Sequence, residues 1–151
     1  MTLDPTLADA GPLIALIDED DPHHGRCEEA LSTLTPPLIT TWPVIAEAMY
    51  RLGQIGGAAG AAAQKLLWGY IHDELLLIAE LDAERRQWAD HYMTKYADLP
   101  CDLADATLLA LAETMQARRV FTIDKDFYVY VLADGSTLEA IPGPFPKGAK
   151  R

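Results

Sequence analysis

Five carboxylates stand where one local pattern gives way to another, and they are the residues best suited to chemistry. Asp9 follows Thr6-Leu7-Ala8, and Glu47 comes shortly after Leu38-Ile39-Thr40-Thr41. Asp102 and Asp105 open a long apolar stretch, and Asp124 ends Val120-Phe121-Thr122-Ile123. Carboxylate oxygens are the donors that hard divalent ions such as Mg²⁺ and Mn²⁺ take. Two such ions can activate a water, bind a phosphodiester and neutralise its leaving oxygen, so no side chain need act as nucleophile. Other chemistries lack their parts. There is no Ser/His/Asp arrangement, P-loop or GxGxxG. An aspartyl-phosphate enzyme would need a second acid two residues after Asp9, where Gly11 stands.

The elements that must hold these acids alternate between extended and helical. Strands are expected at 6–8, 38–41, 75–78, 120–123 and 137–141. Helices are expected after Asp9 over the apolar run Leu13 to Ile17, from Pro22 to Leu34, from Pro43 to Gly53, from Gly57 to Tyr70, from Ala83 to Tyr96 behind an Asp82 cap, and from about Asp102 to Ala117. Strands separated by helices of roughly 10–15 residues imply βαβ units and a mainly parallel sheet covered on both faces. In such a sheet ligands bind outside the carboxyl ends of the strands, which is where Asp9, Glu47 and Asp124 fall. Asp105 shares a helical face with Leu108, Ala112 and Met115, and Asp102 lies one turn before it. An inward carboxylate is costly unless a cation or hydrogen bonds compensate it. The competing structural reading has Asp102 as an N-cap and Asp105 gaining from the helix dipole.

The 151 residues suit one domain: 1–151, with a core over about 6–141 and a C-terminal tail over 142–151. No run is apolar and long enough for a membrane span. The N-terminus lacks the basic and apolar regions of a signal peptide, so a cytoplasmic location is expected. Cys27 and Cys101 have no metal-ligand or CxxC spacing. Twelve Lys and Arg against 23 Asp and Glu give a net charge of −11. That acidity disfavours a generic phosphate-backbone binder, unless divalent ions neutralise the carboxylates locally.

Taken together, the segments Asp9-Ala10-Gly11-Pro12-Leu13, Asp21-Pro22-His23-His24, Pro43-Val44-Ile45-Ala46-Glu47, Leu99-Pro100-Cys101-Asp102-Leu103-Ala104-Asp105 and Arg119-Val120-Phe121-Thr122-Ile123-Asp124-Lys125-Asp126-Phe127 resemble the PIN-domain ribonucleases. The nearest type is the VapC-like toxin of type II toxin–antitoxin modules. The resemblance spans roughly Leu7 to Ile141 and implies a three-layer α/β/α domain. It further implies Asp9, Glu47, Asp105 and Asp124 as catalytic metal ligands, Asp102 as an accessory acid and Thr122 as a supporting hydroxyl. Asp126 has no assigned part. The implied activity is Mg²⁺- or Mn²⁺-dependent cleavage of RNA, with tRNA and rRNA as candidate targets. A cognate antitoxin and a homodimer are the implied partners. Two features depart from the pattern. Ala10 stands where Ser or Thr is usual, and Pro5 shortens the first strand. The alternative is a catalytically silent PIN-fold module that binds proteins through its acidic surface.

Among the remaining polar groups, Arg51 lies one turn after Glu47, placed either to pair with it or to hold a phosphate. Arg118, Arg119 and Lys125 flank the Asp124 strand and are candidates for RNA backbone contact. Arg85 and Arg86 read as solvated surface charge. His23 and His24, adjacent on a helix, point about 100° apart and do not form a metal pair.

Overall fold

The computed structural model describes residues 4–143. Its elements run β1 (Thr6–Ala8), α1 (Ala10–Ile17), α2 (His24–Ser32), β2 (Leu38–Thr40), α3 (Trp42–Gly53), α4 (Gly57–His72), β3 (Leu76–Ile78), α5 (Ala83–Lys95), α6 (Leu103–Met115), β4 (Arg119–Phe121) and β5 (Glu139–Ile141). A short 3-10 turn, Lys125–Tyr128, follows β4. The five strands form one sheet in the order β3-β2-β1-β4-β5, and every neighbouring pair is parallel. From β1 the chain winds outward through β2 and β3, then returns across the sheet to β4 and β5. With right-handed crossovers, that reversal sends α5 and α6 to the face opposite α1–α4. The architecture is the expected three-layer α/β/α arrangement, with the reversal of strand order falling between β1 and β4.

Burial follows from this layering. Leu7, Ala8, Val120 and Phe121 fill the middle of the sheet and are completely buried. Helix α6 is buried on every side from Ala104 to Ala112, so the single core-facing stripe expected from its sequence is one part of a helix wrapped all round. Asp82 caps α5 as expected, its Oδ1 accepting from the Arg85 backbone N–H at 3.0 Å.

Several boundaries differ from the expected ones by a few residues, three of them informatively. α2 begins at His24 rather than Pro22 because the Asp21 carboxylate accepts from the His23 N–H at 2.8 Å and holds a local turn. β4 ends at Phe121 rather than Ile123: the Thr122 N–H still donates to the Ile141 carbonyl at 2.9 Å, and beyond it the chain turns as the Thr122 hydroxyl accepts the Asp124 N–H at 3.0 Å. β5 starts at Glu139, while Thr137 makes only an antiparallel bridge with Val131. Most of the expected C-terminal tail, from residue 144 onward, lies outside the described residues. Among the described residues no helix is long and apolar enough to cross a membrane. Cys27 and Cys101 are both buried and free.

Candidate metal centre

The β1–β4 register builds the site. Leu7 pairs with Val120 and Ala8 with Phe121, so Asp9 and Thr122 leave the sheet side by side. Asp9 caps α1, with its Oδ1 accepting the Ala10 N–H at 2.8 Å. The Thr122 hydroxyl donates to Asp9 Oδ2 at 2.8 Å and accepts from the Asp124 N–H at 3.0 Å. One hydroxyl therefore fixes two acids. Asp124 in turn accepts the Asp126 N–H at 2.9 Å, which starts the 3-10 turn. On the other side, Asp102 caps α6 by accepting the Asp105 N–H at 2.8 Å. Asp105 accepts a hydrogen bond from the Tyr130 hydroxyl at 2.8 Å.

Carboxylate oxygens of Asp9, Asp105 and Asp124 all lie within 4.8 Å of one another. They face a cleft of about 160 Å³ whose wall also includes Glu47, Arg51 and Asp102. A larger hollow of about 790 Å³, lined by α2 and the β5 region, shares none of these residues. Glu47 stays outside the tight cluster. It is 37% exposed and reaches Arg51 at 3.9 Å, a long ion pair at the rim. The cleft sits at the reversal of strand order, where open α/β sheets bind ligands.

Crowding and burial set the protonation of the cluster. Burial, against the pull of the Thr122 and Ala10 donors, raises Asp9 from 3.8 to about 7, with Asp124 and Glu47 adding to the rise. Burial also lifts Asp105 from 3.8 to about 8, reinforced by the charges of Asp9, Asp102 and Asp124 and opposed by the Tyr130 hydrogen bond. Carboxylates this close titrate as a group. Without a cation, the cluster near neutral pH retains protons.

The basic residues expected to flank the site are divided. Arg118 and Arg119 sit at the start of β4, while the carboxylates lie beyond its end. Arg118 bonds Asp134 at 3.0 Å and the Ala112 carbonyl at 2.8 Å, and Arg119 reaches the Asp4 carbonyl at 3.1 Å. Neither is placed to contact a substrate in the cleft. Lys125 follows Asp124 directly. Arg85 is not a solvated charge but a strap, donating to Thr114 at 2.9 Å and to the Glu80 carbonyl at 2.8 Å. Arg86 likewise donates to the Leu81 carbonyl at 2.6 Å. His24 lies 2.7 Å from the Ala15 carbonyl and joins α2 to α1. Tyr130 is the site residue that sequence reasoning missed, since the run Phe127–Val131 reads simply as apolar.

A parallel doubly wound sheet with converging acids at its reversal point defines a class. Residues 6–131 match the PIN domain family, and the chain belongs to it. Ribonuclease VapC26 of Mycobacterium tuberculosis (strain ATCC 25618 / H37Rv) is 27% identical over 120 residues, which cover 79% of this chain and 86% of that protein. A crystal structure of Mycobacterium tuberculosis VapC20, described as a sarcin–ricin loop cleaving toxin, superposes with a TM-score of 0.73 at 17% identity. That match covers 82% of this chain and 93% of the other, and at such identity it speaks for the fold.

Proposed function

We propose that this chain is a divalent-metal-dependent endoribonuclease of the VapC type, the toxin of a type II toxin–antitoxin pair, built as one PIN-like domain with its core over about 6–141. The observation that carries the reading is the convergence of Asp9, Asp105 and Asp124 within 4.8 Å in a family whose relative VapC26 is a ribonuclease. The donor set fits Mg²⁺ or Mn²⁺, because it consists of hard carboxylate oxygens. The acids raised to about 7 and about 8 also have lost hydration for a cation to replace. Asp9, Asp105 and Asp124 would hold the ion, with Glu47 and Asp102 at the rim. When bound, a divalent ion supplies Lewis-acid stabilisation of the scissile phosphate and activates water for in-line attack.

The chain's own residues do the rest. Thr122 keeps Asp9 and Asp124 in a fixed relation, Asp102 holds the first turn of α6, and Arg51 at the mouth can exchange its long pairing with Glu47 for a phosphate. The products would be 5′-phosphate and 3′-hydroxyl ends. RNA, tRNA or rRNA included, is the substrate class, and the setting is the cytoplasm. A homodimer is part of the same proposal, as is an antitoxin that seats an Arg or Lys among the acids.

The rival reading is a silent protein-binding module, which the net charge of −11 favours. One experiment decides between them. The purified chain should cleave RNA with Mg²⁺ or Mn²⁺, stop in EDTA, and stop when co-expressed with the product of a short neighbouring reading frame encoding a DNA-binding protein. Asp9→Asn and Asp105→Asn should each reduce cleavage by about a hundredfold or more, the scale at which removing a few kcal/mol of transition-state stabilisation shows. RNA left intact by wild type under every metal condition would favour the silent module.

A further inference from the structure

Behind Asp105 stands a buried phenol that the proposed function leaves without a role. Tyr130 is completely buried, yet it keeps a hydroxyl where a phenylalanine would satisfy the packing. Burying a hydroxyl costs about 1–3 kcal/mol unless it is hydrogen-bonded. Here it donates to Asp105 Oδ2 at 2.8 Å. The Cys101 thiol, itself buried, donates instead to the Asp102 carbonyl at 3.8 Å. The ring has little room to move. Its centroid is 5.0 Å from that of Tyr96, and 5.2 Å from that of Phe127 in an edge-to-face arrangement at 86°. Its backbone N–H is tied to the Asp126 carbonyl at 3.2 Å. One short segment therefore begins with the Asp124 carboxylate in the cluster and ends with a rigid donor on the Asp105 carboxylate.

We propose that Tyr130 is a positioning residue for the metal centre: its hydroxyl occupies one oxygen of Asp105 and holds that carboxylate in a single orientation toward a divalent cation. The inference rests on the proposed centre and adds to it a buried partner that does not itself line the cleft. Partners of this kind orient ligating groups, and their loss typically costs 10–100-fold in metal affinity. Thr122 does the same for Asp9 by an analogous 2.8 Å bond, so each of the two most buried acids has one hydroxyl donor.

The test is a Mn²⁺ titration, read both by the electron paramagnetic signal of free Mn²⁺ and by RNA cleavage, on wild type, Tyr130→Phe, Asp105→Asn and the double variant. Wild type should bind Mn²⁺ and Asp105→Asn should lose most of that binding. Tyr130→Phe should raise the Mn²⁺ dissociation constant about 10–100-fold, with the metal dependence of cleavage displaced in step. In the Asp105→Asn background, Tyr130→Phe should change residual binding less than about twofold, because a residue acting through Asp105 has nothing left to act on. Tyr130→Phe binding Mn²⁺ like wild type, while Asp105→Asn does not bind, overturns the role of Tyr130 and leaves the centre standing. Asp105→Asn binding like wild type overturns the centre itself. Phe keeps the contacts with Tyr96 and Phe127, so folding should survive. Should it not, a Mg²⁺ titration of wild type labelled at tyrosine Cζ decides. The Tyr130 resonance should move with the midpoint of Mg²⁺ binding, and a Tyr130 resonance that stays still while Mg²⁺ binds overturns the proposal.

Discussion

At the scale of single residues, the acids are held in a protonation state that the fold itself imposes. Asp9 and Asp105, raised from 3.8 to about 7 and about 8, keep protons that the unfolded chain releases above about pH 4. A raised folded value means stability that is full below the unfolded value and is lost as pH climbs through the folded one. Metal-free wild type should therefore melt lower at pH 9 than at pH 6, and Asp105→Asn should show a flatter profile across that window. At pH 8, Asp105→Asn should melt above wild type in EDTA and respond less to added metal. For wild type, Mg²⁺ or Mn²⁺ at about a hundredfold excess over Kd adds about 2.7 kcal/mol, or about 5–10 °C for a chain of this length. Differential scanning fluorimetry of both proteins reads all of this. A lower metal-free melting point for Asp105→Asn together with an undiminished metal response would make Asp105 a structural residue. Asp9 and Asp124 were legible in the sequence because strand ends in a parallel sheet share one rim. Tyr130 was not, because its bond to Asp105 joins residues 25 apart in sequence and no local pattern records it.

At the scale of elements, close approach of α1 to the segment after β4 sets the geometry of the cleft. Gly11 lies in the first turn of α1, and a Cβ there would come within 2.7 Å of Ile123 Cγ1. Ile123 stands between Thr122 and Asp124, so pushing it moves the hydroxyl and the carboxylate together. Gly11→Ala should cost about 1–3 kcal/mol by overpacking and weaken Mn²⁺ binding beyond what the loss of stability explains. Calorimetric titration under conditions where the variant stays folded checks this, and unchanged affinity would show that the segment yields without disturbing the acids. The order and type of elements were legible from hydrophobic period and capping residues such as Asp82 and Asp102. The strand ends were less so, since each strand has only three residues and a difference of one or two residues is a large part of its length. Thr122 shows this: its N–H still reaches the Ile141 carbonyl at 2.9 Å, while its hydroxyl, just past the last paired residue, serves Asp9 and the Asp124 N–H. In the same way Gly11 looked informative for ruling out an aspartyl nucleophile, while its packing against Ile123 needed the fold.

At the scale of the whole molecule, a net charge of −11 must be reconciled with a polyanionic substrate. The described basic side chains are mostly committed elsewhere. Arg85 and Arg86 bind carbonyls at the start of α5, Arg118 and Arg119 sit at the opposite end of β4 from the site, and Lys95 approaches the Val131 carbonyl at 3.2 Å. Arg51 lines the cleft and Lys125 follows Asp124. Among the described residues that line or adjoin the cleft, the electrostatic share of RNA binding should then come from these two side chains and from divalent ions over the acids. For single strands the logarithmic salt slope is about −0.7 per neutralised phosphate, so two contacts give about −1.4. Ca²⁺, larger and less demanding in geometry than Mg²⁺, should support binding without cleavage and allows the measurement on intact RNA. Fluorescence anisotropy between about 50 and 300 mM KCl should give a slope near that value, in the range where counterion release dominates. Arg51→Ala should make it shallower by about 0.7, the share of one phosphate. Chelation should weaken binding at every salt concentration, because the uncovered carboxylates then repel the backbone. A slope steeper than about −3 would mean four or more phosphate contacts, more than Arg51 and Lys125 supply, and would overturn the two-contact footprint.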